Sequence, residues 1–124
     1  MIKIESVDKY FQLCNECATK EELKAYWKKN ALCMDFVRAY ETARAKESDM
    51  LILEEALYNT AGDFLHACLV NGVKKFVYAA KSTAMIDDLA DFLNANCKVV
   101  GAIIITERNR IGNIDKNGIV LSIA

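Results

Sequence analysis

The strongest constraint on this chain is a change of hydrophobic period near Gly72. Before it, apolar residues return at three- and four-residue steps. After it, short β-branched and aromatic runs flank a single helical stripe. A chain of that order must bury several helices against strands that come late in the sequence. Proline is absent, and four of the five glycines stand at or beyond residue 72. The first half therefore lacks proline kinks, and the turn-forming residues gather in the second.

In the first half, Ser6 is placed to cap a helix whose Val7, Tyr10, Phe11, Cys14 and Cys17 share one face. Thr19 and Glu22 make a capping-box pattern ahead of Leu23, Tyr26 and Trp27. Leu32, Phe36, Val37 and Tyr40 carry the period into a third helix. Met50 to Leu57 reads as helical, because Glu54 and Glu55 disfavour a strand. Asn59-Thr60 restarts a helix that turns Phe64, Leu65, Cys68 and Leu69 inward. Asn71-Gly72 stops it, with Val73 closing the cap.

In the second half, Phe76 to Ala79 reads as a strand, and Ser82-Thr83 opens a helix with Met85, Ile86, Leu89, Phe92 and Leu93 as its stripe. Val99 to Thr106 is apolar on both alternating faces, which predicts a central strand. Asn117-Gly118 signals a turn, and Ile119 to Ile123 a last strand pairing back antiparallel. The expected architecture is a single α/β or α+β domain over residues 1–124. A helical half, about 6–71, packs with a β-α-β-β half, about 73–124, that forms a small mixed sheet of about three strands. Two parallel neighbours joined by a right-handed crossover form its centre. The helical half covers the second sheet face, and residues 1–4 can add an edge strand.

Composition narrows the function classes. Hydrophobic residues at 53% and charged residues at 27% suit a packed core, not a disordered chain. Sixteen basic against seventeen acidic residues leave a net charge of −1, which excludes a nucleic-acid binder held by bulk charge. No run approaches the roughly 20 apolar residues of a membrane span. The N-terminus lacks the layout of a signal peptide, so the five cysteines read as free thiols in a reducing cytoplasm. Dinucleotide and phosphate-loop glycine motifs, the nucleophile elbow and the paired-histidine zinc motif do not occur, so neither a cofactor nor a catalytic residue is expected.

Some residues still invite a chemical reading. Cys14 and Cys17, with His66 and Cys68, are the only candidate metal ligands, but zinc wants four such groups and a second cysteine pair is missing. Cys14 and Cys17 fit the apolar stripe, where a free thiol acts as a small hydrophobe. His66 reads as a helix-surface residue with Asp63 at i−3. The acidic pairs at 21–22, 54–55 and 87–88 read as solvated helix faces. Tyr10, Tyr26, Trp27, Tyr40 and Tyr58 keep core spacing rather than making a base-stacking surface.

Topology offers one further place. Ligands of open α/β sheets bind at the carboxyl ends of parallel strands. Here those ends carry Lys81, Ser82 and Thr83, then Thr106, Arg108 and Arg110. Helix-start N–H groups, hydroxyls and two guanidinium groups together suit an anion such as a phosphate or carboxylate.

The opening Ser6-Val7-Asp8-Lys9-Tyr10-Phe11-Gln12-Leu13-Cys14, the stretch Gly72-Val73-Lys74-Lys75-Phe76-Val77-Tyr78, Ser82-Thr83, and Cys97-Lys98-Val99-Val100-Gly101 carry a likeness. The chain resembles small uncharacterised proteins of gut bacteria and their phages or conjugative elements. That group has no settled activity, so no catalytic residue carries over. The resemblance implies an inhibitor or regulator of a host defence system. Two expectations follow. The first is a non-enzymatic protein that works through contacts with another protein. The second is a small enzyme or ligand-binding domain that holds an anionic group at the sheet edge. Homo-oligomerisation stays open. On the second expectation, replacing Arg108 and Arg110 together by alanine weakens binding of the partner or ligand, read by calorimetry, and leaves the melting temperature unchanged.

Overall fold

A computed structural model describes residues 2–56, 58–94, 96–104 and 117–123. Among them five helices and four strands follow in the order α1 (Glu5–Asn15), α2 (Lys20–Lys29), α3 (Met34–Ala45), β1 (Leu51–Glu54), α4 (Tyr58–Val70), β2 (Lys75–Ala80), α5 (Thr83–Leu93), β3 (Cys97–Ile104) and β4 (Asn117–Ile123). This is an α+β fold with a helical N-terminal half.

Local chemistry explains the helix ends. At the start of α2, Thr19 Oγ1 accepts the Glu22 N–H at 3.2 Å, and the Glu22 carboxylate accepts the Thr19 N–H at 3.4 Å. The first four helices all stop by one device. Cys17, Ala31, Glu47 and Gly72 take φ of 60°, 52°, 53° and 72°. The next residue then donates its N–H to the carbonyl five positions back: Ala18 to Leu13, Leu32 to Trp27, Ser48 to Ala43 and Val73 to Cys68, at 2.8–3.1 Å. This is the Schellman closure, and only the fourth uses the glycine that suits it.

The strand order is β1-β2-β4-β3. β1 and β2 are parallel, and β4 lies antiparallel to both β2 and β3. Four expectations change. First, the expected helix over Met50 to Leu57 is replaced by strand β1, so the sheet has four strands rather than about three. Leu51 and Leu53 are buried on one face and Ile52 is half-buried on the other. Glu54 and Glu55 stand at the strand's end, where their carboxylates reach solvent, so they do not oppose it.

Second, β3 is an edge strand, not the centre, because β4 inserts between it and β2; residues 105 and 106 lie outside the described residues. Third, Asn117-Gly118 is not a turn. It begins β4, with Asn117 opposite both Ala80 and Ile104. Fourth, residues 2–4 form no strand. Ile2 donates one N–H to Ser48 O at 3.1 Å, and Ile4, not Ser6, is the N-cap of α1.

The helices share one face of the sheet. Phe36, Val37 and Tyr40 of α3, Phe64 and Cys68 of α4, and Ile86, Leu89 and Leu93 of α5 join Leu51, Leu53, Phe76, Tyr78 and Leu121 in one core. On the second face a small cluster of Val77 and Ala79 packs with half-buried Met50, Ile52 and Val120. The expected helical cover on that face is absent among the described residues. Both crossovers, β1-α4-β2 and β2-α5-β3, step in the same direction along the sheet, which brings α4 and α5 to one side.

The αL positions give a test. A Cβ there costs about 1 kcal/mol. Ala31→Gly is expected to raise stability in urea unfolding by about 0.5–1 kcal/mol. Ala25→Gly, exposed within α2, is expected to lower it by about 1 kcal/mol.

Candidate functional site

The carboxyl ends of β1 and β2 lie side by side, and the sequence sends a helix away from each. Glu55 leaves β1 at φ 45° and donates its N–H to Ala79 O at 2.8 Å. Its carboxylate then accepts the Lys81 N–H at 3.1 Å. Tyr78 donates its hydroxyl to Ala56 O at 3.3 Å. Burial first, then the nearby Glu55 charge, holds the Tyr78 phenol above its ordinary value, so it stays a donor.

Lys81, Ser82 and Thr83 are exposed at this end. Ser82 is the N-cap of α5, but its side chain makes no capping hydrogen bond. Thr106, Arg108 and Arg110 lie outside the described residues. The strand order also changes the expected neighbourhood. With β4 between β2 and β3, the ends of those two strands stand two strand spacings apart, about 10 Å. Glu55 is the site residue that sequence reasoning missed. It read as part of a solvated helix face, whereas it supplies an internal carboxylate at the place assigned to an outside anion.

The cysteines divide differently from the expected pattern. Cys14 and Cys17 are exposed, not in the core. Cys17 sits past the end of α1 in the closing turn, where the helical period no longer applies. His66 is exposed on α4 while Cys68 is buried. Among the described residues, no three histidine, cysteine or acidic groups come together to hold a metal. Instead buried Cys68 has half-buried Cys33 and buried Cys97 as neighbouring thiols. Burial, then the two neighbouring thiols, pushes Cys68 strongly up, and burial raises Cys33 and Cys97 as well. Such thiols are protonated and unreactive. Three separate elements supply them, so no local motif announces the cluster.

The aromatics pack as expected. Tyr10 meets Trp27 edge-on at 5.0 Å between centroids, Tyr26 donates its hydroxyl to Ser6 O at 2.7 Å, and Tyr40 is buried. The side chain of Tyr58 is outside what is described.

Leu69 and Phe92, expected inside, are instead about half exposed, as are Val70 and Val99. α4 and α5 pack side by side. With right-handed crossovers, the helical phase turns Leu69 and Phe92 toward the seam between these helices. Leu69, Val70, Phe92 and Val99 all belong to the end of the molecule where α4 and α5 finish and β3 begins.

Residues 35–119 match the family model described as a domain of unknown function, DUF7698, and the chain belongs to that family. The match runs from the start of α3 into β4, so it contains the strand ends and the α4–α5 seam. No curated protein and no solved structure matches the chain. No helix among the described residues is long and apolar enough to cross a membrane.

The raised thiol predicts a pH effect. The folded chain keeps the Cys68 proton at a pH where the unfolded chain, near the ordinary value of 9.0, has lost it. Stability is therefore held below about pH 9 and falls as the pH climbs above it. Urea midpoints measured from pH 7 to 11 are expected to show this fall, and Cys68→Ala to flatten it.

Proposed function

We propose that this is a non-enzymatic cytoplasmic protein that acts by binding another protein through the apolar end around Leu69 and Phe92. The observation that carries the reading is the group of four half-exposed apolar side chains, Leu69, Val70, Phe92 and Val99, at one end of the fold. Large apolar side chains left half exposed at one end of a fold are the kind of surface that a partner covers. Aromatic side chains such as Phe92 are typical interface anchors. The resemblance to small proteins of gut bacteria, their phages and conjugative elements adds a direction. An inhibitor or regulator that a phage or mobile element directs at a host defence system is the partner class to search first.

A small enzyme or ligand-binding domain holding an anion near Lys81, Ser82 and Thr83 is the second reading. The uncommitted hydroxyl of Ser82 favours it. The Glu55 carboxylate opposes it, because it already takes the Lys81 N–H and repels a second anion.

Native mass spectrometry of protein purified gently from its host tests the first reading. Wild type is expected to carry a stoichiometric protein partner. Leu69→Glu with Phe92→Glu is expected to run bare while still unfolding in one cooperative transition, at a lower temperature because both side chains are half-buried. A bare wild type, or a partner kept by the variant, overturns the reading.

A further inference from the structure

We propose that the cleft between α3 and the open edge of β1 receives an extended peptide segment bearing one carboxylate, which joins the sheet as a fifth strand. The cleft measures about 160 Å³ and is lined by Arg38 and Thr42 of α3, by Lys46 just past its end, and by Met50 and Ile52 of the β1 side. Among the described residues β1 is an edge strand with β2 on one side only. A helix lying along an open strand edge makes the groove used for strand addition, in which main-chain bonds give affinity and wall side chains give specificity.

The phase of the ladder shows what the edge offers. Glu55 N–H reaches Ala79 O, so Leu51, Leu53 and Glu55 turn their backbone groups toward β2. The intervening residues turn theirs outward. At Met50 those groups are already spent. Its N–H meets Ser48 Oγ at 3.1 Å, and the same hydroxyl donates to Met50 O at 3.3 Å. At Ile52 the ladder leaves an N–H and a C=O facing the cleft, and a neighbouring peptide backbone matches that donor–acceptor pair.

The wall sets the charge. Among the described residues Arg38 has no ion partner, and its planar fork of donors suits a carboxylate. Asp35, one turn away on α3, and Glu54 on β1 also line the cleft. They limit it to a single carboxylate and disfavour an acidic run. The half-buried apolar floor favours β-branched neighbours on that strand. None of these residues belongs to the Leu69–Phe92 seam, so either proposal can fail alone.

The test is a titration of isotope-labelled full-length protein, followed by amide NMR, with a capped pentapeptide of sequence threonine-valine-glutamate-valine-threonine. Shifts centred on Ile52 and Leu53 are expected, with a Kd of about 1 mM or below. Glutamine in place of the glutamate is expected to weaken binding about tenfold. Arg38→Ala is expected to bring the glutamate peptide down to the glutamine level and to leave the glutamine peptide unchanged. N-methylation at alternate residues is expected to abolish binding in one phase and spare it in the other. The proposal is overturned by any of three results: no shift at Ile52 up to about 5 mM peptide, equal affinity for both peptides, or the same response to both N-methylation phases.

Discussion

Three phenylalanine rings hold the two halves of the molecule together. Phe64 of α4 lies 5.8 Å from Phe36 of α3 and 5.2 Å from Phe76 of β2, centroid to centroid. All three are fully buried. Burying each ring is worth about 2–3 kcal/mol, and the tilted geometry adds roughly 0.5–1.5 kcal/mol per pair. This column seats α4 over β2 and α3 over β1.

A polar network ties the first two helices to that core. Asn71 is its hub. Its Oδ1 accepts from Ser6 Oγ, and its Nδ2 donates to Asn30 O at 3.0 Å and Ala67 O at 2.8 Å. Asp8 of α1 accepts from Tyr40 at 2.9 Å and Arg44 at 2.8 Å, both on α3. All of these bonds except Asn71–Ala67 run between segments outside the family match and segments within it. The exposed Arg44–Asp8 pair is worth little alone, but the Asp8 carboxylate also takes the hydroxyl of buried Tyr40, which ties α1 to α3 at a second point.

Placing the helices on one sheet face has functional consequences. Among the described residues the β1 edge remains open, and the two sides of the fold differ chemically. At the carboxyl ends of β1 and β2, an internal carboxylate occupies the donor an outside anion would use. At the open edge of β1, the donors and acceptors of Ile52 stay uncommitted beside an unpaired cation. At the opposite end, the α4–α5 seam presents apolar surface. Each property follows from what its neighbours leave unsatisfied.

Much of the local structure was legible in the residues themselves. Thr19 and Glu22, the Gly72 stop, the inward stripe of α5 and the strand at Phe76 act within a few positions, through caps, φ preference and period. The apolar run Leu51 to Leu53 could not be assigned that way, since three residues satisfy either period, and only its parallel partner β2 makes it a strand. The same holds for β4, whose insertion beside β2 is a pairing across more than 35 positions. That pairing alone moves β3 to the edge and separates the two segments expected to form one anion site. The chain by itself determined the capping box of α2, the Gly72 stop and the apolar stripe of α5, which rest on residues a few positions apart. Tertiary structure decided the strand order, the covered face, the placing of Cys33 and Cys97 beside Cys68, and the role of Glu55, because each depends on contacts between segments distant in sequence.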